Sequence, residues 1–271
     1  IGIIAAKEFR GRIRNRWVLA VAAVFAALAL VIAYFGSAQQ GSVGFHGVGV
    51  TIASLVSLVI YLVPLIALML GFDAIVGERE RGSLNLLLSL PITPLELLLG
   101  KFFGLSAALS LSTAAGFGLA GIALTSVMSL NDFFHYFGFI ASSILLGMAF
   151  LSLAISASVL ASDRASASGI AIALWFFLVL VFDLILLGIL VASSGELGDL
   201  GNRLLPYLLL LDPADIYRIL GAQAKLVHEA RDLRRGAEGA HAGGLAAGRG
   251  RERPAPGFVA AQAGDHDGPG P

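Results

Sequence analysis

The 271 residues are 57% hydrophobic and only 13% charged, with a mean hydropathy of +0.87. A water-soluble domain carries about a quarter of its residues as charges, so this composition places the chain in a membrane. The net charge of zero argues neither for nor against nucleic acid, but no basic patch interleaved with aromatics is present, and no nucleic-acid partner is expected. The absence of cysteine excludes both a disulfide framework and thiolate metal ligation. The sequence opens on Ile1 rather than Met, which points to residues preceding it.

Taken in chain order, the first segment interleaves Ile3, Ile4, Ala6, Phe9 and Ile13 with Lys7, Arg10, Arg12, Arg14 and Arg16. That pattern suits a helix lying among lipid headgroups, either as a plain anchor or as an elbow feeding the first span. Crossing roughly 30 Å of hydrocarbon takes about 20 apolar residues. Five runs qualify: 17–35, opened by Trp17 and closed by Tyr34; 48–72, containing Pro64; 102–128, rich in Gly, Ala and Ser; 139–161; and 169–192. The expected fold class is therefore an all-α polytopic helix bundle. The first run is too long for a secretory signal and no small-residue cleavage site comes after it.

Basic residues set the expected orientation. Lys7, Arg10, Arg12, Arg14 and Arg16 precede the first span, Arg79, Arg81 and Lys101 separate the second from the third, and Arg164 separates the fourth from the fifth. The loops 36–47 and 129–138 hold no Lys or Arg. Positive loops stay cytoplasmic, so the expectation is a multi-pass protein of the bacterial inner membrane with a cytoplasmic N-terminus.

Between the second and third spans stands GERERGSLNLLLSLPITPLELLLGK, Gly77 to Lys101. On a helix starting near Glu78, the residues Glu78, Arg81, Asn85 and Ser89 fall on one polar stripe, with Leu84, Leu87 and Leu88 opposite. Pro91 ends that helix. Thr93-Pro94-Leu95-Glu96 then reads as an N-cap, a proline at the first helical position and a capping-box glutamate, so a second helix starts at Pro94 and runs into the third span.

These residues resemble the inner-surface motif of ABC-2 type transporter permeases: Glu78-Arg79-Glu80, Gly82, the leucines of 84–90, Pro91, and Leu98-Leu99-Gly100-Lys101. Three further stretches sharpen the likeness. They are Ala6-Lys7-Glu8 with Arg14-Asn15-Arg16-Trp17, the fifth span with Phe182-Asp183-Leu184, and Leu204-Leu205-Pro206 ahead of Asp212-Pro213-Ala214-Asp215-Ile216-Tyr217-Arg218. Together, over residues 1–220, they are similar to the permease of the maturation system that serves the multi-copper enzyme nitrous-oxide reductase.

The resemblance implies a transporter subunit that is not itself an enzyme and holds no cofactor, since ATP is bound by a separate ABC ATPase subunit. It implies that the helix between spans two and three docks into that subunit, with Glu78, Arg79, Glu80, Arg81 and Gly82 at the contact and the leucines of 84–90 against the bundle. It further implies a periplasmic maturation partner and two permease copies about a two-fold axis. The small residues Gly104, Ala107, Ala108, Ser112, Ala115, Gly116 and Gly118 of the third span suit close helix approach. The implied cargo is a copper- or sulfur-related species. A generic ABC-2 exporter of lipid, drug or polysaccharide, and a membrane scaffold that moves nothing, are the alternatives.

Gly100-Lys101 is not the end of a phosphate-binding loop, because Leu95 stands where its first glycine belongs and Phe102 where Ser or Thr is required. Asp183 is ionisable inside a span and so a candidate pathway residue, with a Ser, a Thr or water as its expected partner; packing alone is the other reading. The histidines are scattered, Met69, Met128 and Met148 do not cluster, and no metal site is expected. From Gly221 the sequence turns to Ala, Gly, Arg and Pro, with 11 of the 33 glycines in the last 51 residues. The expectation there is a disordered tail. The family's sixth span is missing, and the basic residues of the tail would fall on the outer side, which points to a shifted reading frame near residue 220.

Overall fold

Apolar stretches in lipid must satisfy every backbone polar group internally, which leaves helices as the spanning form for runs of this length. The structure, a computed structural model, is built accordingly. It describes residues 1–14, 16–35, 48–89, 91–125, 128–193, 209–210 and 212–219, all within the compact unit Ile1–Leu226. Among these residues there is no strand. The loop 36–47, residues 194–208, the tail from Gly221 and the readings of a shifted frame and a lost sixth span lie outside them.

Helix α1 (Gly2–Arg14) precedes α2 (Trp17–Phe35). Next come α3 (Val48–Gly71), the short α4 (Val76–Glu80) and α5 (Ser83–Leu88), α6 (Pro94–Leu124), α7 (Leu130–Leu160), α8 (Arg164–Phe176) and α9 (Phe182–Ser193). A π-helical stretch, Phe177–Val181, joins α8 to α9 without a break. Among the described residues, five helical segments are long and apolar enough to cross a membrane: Trp17–Phe35, Thr51–Glu80, Pro94–Leu124, Asp132–Leu160 and Arg164–Ile189.

Local chemistry explains the boundaries. Thr93 caps α6: its hydroxyl accepts from the Glu96 N–H at 3.2 Å while the Glu96 carboxylate accepts from the Thr93 N–H at 2.9 Å, with Pro94 at the first helical position. Ser129 and Asp132 form the same reciprocal box at α7. That box corrects the expected loop 129–138: the helix begins at Leu130, well before the apolar run at Phe139, because the cap and not the hydropathy fixes its start. Asp163 caps α8, accepting from the Ser166 N–H at 2.8 Å. This donor and the hydroxyls of Ser162 and Ser166 hold its carboxyl below the usual carboxylate range.

The expected single helix from Glu78 to Leu90 is corrected as well. Gly82 adopts φ +72°, a left-handed conformation that L side chains resist, and it divides the segment into α4 and α5. The expected stripe through Glu78, Arg81, Asn85 and Ser89 is therefore not one surface. Nor does α5 lie sealed against the bundle: none of its residues is buried, and Leu86 and Leu88 are exposed.

The core runs from α2 through α6 and α7 to α3, each packed on the next. The Phe25 and Phe117 rings lie 5.0 Å apart and Phe117 and Phe139 lie 5.1 Å apart, while the Tyr136 hydroxyl donates to the Phe117 carbonyl at 2.7 Å. Small residues let the helices come this close. A Cβ on Gly116 would stand 2.5 Å from Cβ of Phe25 and 2.8 Å from the Ala22 carbonyl; one on Gly104 would stand 2.6 Å from the Ala5 carbonyl. Gly104, Ala108, Ser112 and Gly116, one stripe at four-residue spacing, are thus buried within this chain, with Gly104 against α1 and Gly116 against α2. The stripe expected to bring helices together does so inside one copy. Gly118 meets nothing within 4 Å.

This packing predicts that Gly116→Leu destabilises the fold by about 1–3 kcal/mol through overpacking against Phe25, whereas Gly118→Ala leaves it unchanged or slightly firmer. Thermal unfolding of the two variants in detergent, measured by circular dichroism, checks the contrast.

Candidate functional site

The charged residues between α3 and α6 gather at the end of the bundle that carries the N-terminus. Lys101, about two turns into α6, is 2% exposed. Its ammonium donates to Glu78 Oε1 of α4 at 2.8 Å and to Glu8 Oε1 of α1 at 3.0 Å. The flanking α6 glycines make room for α1: a Cβ on Gly100 would lie 2.7 Å from Cβ of Ile4. Three helices therefore share one buried cation. Glu78 Oε2 is buried with no hydrogen-bond partner among the described residues.

Arg79 and Glu80 turn to the other side. The Arg79 guanidinium donates to the carbonyls of Ala161 at 2.6 Å and Val159 at 3.1 Å, groups that the C-terminal end of α7 leaves without intrahelical donors. Glu80 Oε1 accepts from the Arg164 N–H at 2.8 Å, at the N-terminus of α8 where a negative charge is favoured. Beneath them the Ser158 hydroxyl accepts from the N–H groups of Ile75 and Val76, both at 3.0 Å, which satisfies the start of α4. Asp73 receives the Arg164 guanidinium through both oxygens and lies 3.6 Å from Arg81. Gly77 is held tightly over Asp73; a Cβ there would meet Oδ1 at 2.2 Å.

Glu78-Arg79-Glu80 is thus a staple in which successive side chains grip α6 with α1, the end of α7, and the start of α8. Arg81 is the freest of the group, its side chain 62% exposed. Arg79, Glu80, Arg81 and Gly82 are exposed as well as bonded or adjacent to the staple, and so are the α5 residues Asn85, Leu86 and Leu88. Lys101, Glu8, Ser158, Asp73 and Arg164 belong to the site although sequence reasoning does not assign them to it. Lys101 is part of the motif, but its partner Glu8 is 93 positions away and has no local signal.

A second polar centre surrounds Asp183. Among the described residues, the expected Ser or Thr partner is not found. The carboxylate instead receives both terminal nitrogens of Arg218, which also lies 3.3 Å from Asp215. Arg218 sits on a helical turn over 213–219 whose first residue is Pro213 and whose cap is Asp212, with Oδ1 accepting from the Ala214 N–H at 2.9 Å. The Tyr217 hydroxyl meets Ser143 of α7 at 3.0 Å and fixes this turn against the bundle.

A family model described as "ABC-2 family transporter protein" matches residues 3–246. The chain belongs to the ABC-2 transporter family. Among curated relatives, a protein of Pseudomonas aeruginosa called "Probable ABC transporter permease protein NosY" is 50% identical over 221 residues, 80% of this chain and 79% of that one. A protein of the same description from Stutzerimonas stutzeri is 48% identical over the same extent. This ABC-2 chain is accordingly a multi-pass membrane permease subunit of an ABC transporter, and its charged motif lies at the mouth of that helix bundle.

The staple makes a prediction for this permease. Lys101→Met leaves two partly buried carboxylates without their cation and costs about 1–3 kcal/mol, while Lys101→Met combined with Glu8→Gln and Glu78→Gln recovers most of the loss. Unfolding midpoints of the purified single and triple variants decide it; equal losses in both contradict a buried ionic centre.

Proposed function

We propose that this chain is the permease of a transporter that exports a copper- or sulfur-related species for nitrous-oxide reductase maturation, driven by a separate ABC ATPase subunit. The cargo reading is supported by the motif resemblance along residues 1–220 and by the name that two relatives of about 50% identity carry. In this reading the N-terminus and the α4–α5 segment face the cytoplasm, consistent with the distribution of Lys and Arg. A periplasmic maturation partner receives or supplies the cargo on the far side, and two permease copies work together, each with one ATPase subunit.

The observation that carries the coupling role is the staple. An ATPase that presses on the exposed α5 tip pushes on Glu78, Arg79 and Glu80, and these side chains are already attached to α6, α7 and α8, with α1 held in turn by Lys101. Displacement at one short helix is thereby delivered to the ends of three spans at once. Arg81, Gly82, Asn85, Leu86 and Leu88 make the contact and Glu78, Arg79 and Glu80 transmit it. Rim charges such as Arg81 tune register and encounter more than affinity.

Leu86→Asp with Arg81→Glu is expected to abolish stimulation of the ATPase subunit in a reconstituted complex, with membrane insertion unchanged because neither side chain is buried. Undiminished stimulation overturns the coupling role. For Asp183, the pathway reading expects Asp183→Asn to lower maturation of nitrous-oxide reductase in complemented cells at equal permease abundance. Equal maturation at equal abundance assigns the Asp183–Arg218 pair to packing.

A further inference from the structure

The α1 helix carries two faces with different fates. Ile4, Ala5 and Glu8 are set against α6, where Gly100 and Gly104 receive them. Glu8, the one acidic residue in the α1 sequence, is consumed by Lys101. The opposite face is open and itself divided. Lys7, Arg10 and Arg14 stand at i, i+3 and i+7 on one exposed stripe, and beside them Ile3 is 89% and Ile13 40% exposed. Lys7, Arg10, Arg12, Arg14 and Arg16 form no ion pair with any described residue.

Backbone geometry keeps this face from continuing into the bundle. Arg16 takes φ +55°, a left-handed conformation for a single residue, between the end of α1 and the start of α2 at Trp17. The turn breaks the helix direction, so α1 does not prolong the spanning helix but lies against the first turns of α6. A nearly bare isoleucine is unfavourable in water and comfortable at the edge of hydrocarbon. Five cations without carboxylates are favourable where anionic headgroups lie. A helix that offers both side by side is matched to a leaflet surface.

We infer that the outer face of α1 is a recognition surface for anionic phospholipid, with Lys7, Arg10 and Arg14 holding headgroup phosphates and Ile3 and Ile13 seated among the acyl chains. Glu8, on the opposite side of the same helix, joins this surface to the staple through Lys101. The surface stands on the charge and exposure of α1 and does not depend on the transport reading.

Two tryptophans, Trp17 and Trp175, make a direct test possible. In the full chain carrying Trp175→Phe, Trp17 remains as the reporter beside α1. Reconstitution into nanodiscs containing equal mole fractions of brominated phosphatidylglycerol or brominated phosphatidylcholine measures which lipid contacts it. The expected result is a preference of about fivefold or more for phosphatidylglycerol at low salt, falling as salt rises. Lys7→Gln/Arg10→Gln/Arg14→Gln removes the preference, and the charge-retaining Lys7→Arg/Arg10→Lys/Arg14→Lys keeps it, which separates lost charge from lost helix. Equal quenching by the two lipids overturns the assignment, as does a preference that survives neutralisation. A preference that disappears when the ATPase subunit is bound also overturns it, because the face then belongs to a protein interface.

Discussion

One buried ammonium organises the charged end of this permease. Lys101 is almost fully enclosed, and an isolated cation there is costly enough that its two carboxylates, Glu8 and Glu78, cannot be optional. Those carboxylates come from helices that precede α6 by very different sequence distances, so satisfying Lys101 forces α1 and α4 to the same place. Once α4 is fixed, the next two side chains of the motif reach nearby groups that need them. Arg79 takes the open carbonyls ending α7, and Glu80 the open N–H starting α8. The geometry of the Glu-Arg-Glu sequence results from alternating charge around one short helical turn.

This arrangement changes what the motif means. Four consecutive charges at a membrane surface look like a display for a partner, and the family resemblance encourages that view. Three of the four also hold the permease together. Beyond them stands α5, which is separated from α4 at Gly82 and buries none of its residues. A rigid anchor with an exposed tip beyond it is mechanically suited to receiving a push. The bonds behind it join α4 to α6, α7 and α8.

Much of the architecture is legible in the sequence because it rests on local rules. Apolar length identifies the five spans, and Thr93-Pro94-Leu95-Glu96 announces its own capping box, which forms as its chemistry requires. The start of α7 escapes a reading by hydropathy, although Ser129 and Asp132 carry the same capping signature, because that cap lies outside the apolar run. The partners of Lys101 and Asp183 are not legible at all. Each depends on contacts between residues far apart in sequence, and at Asp183 the π-helical stretch just ahead adds a residue to the turn and rotates everything after it. Nothing local to Asp183 points to Arg218, which lies 35 positions away.

Clamping of α4 by its neighbours, with α5 standing free, is measured most directly by hydrogen–deuterium exchange of the full chain in nanodiscs. The amides of Ile75 and Val76 are bound by Ser158 and that of Arg164 by Glu80. A clamped α4 predicts exchange across residues 75–80 slower than across 83–89 by roughly a factor of ten or more, with Ser158→Ala erasing much of the difference. A single common rate for the two stretches, unchanged by Ser158→Ala, would contradict it.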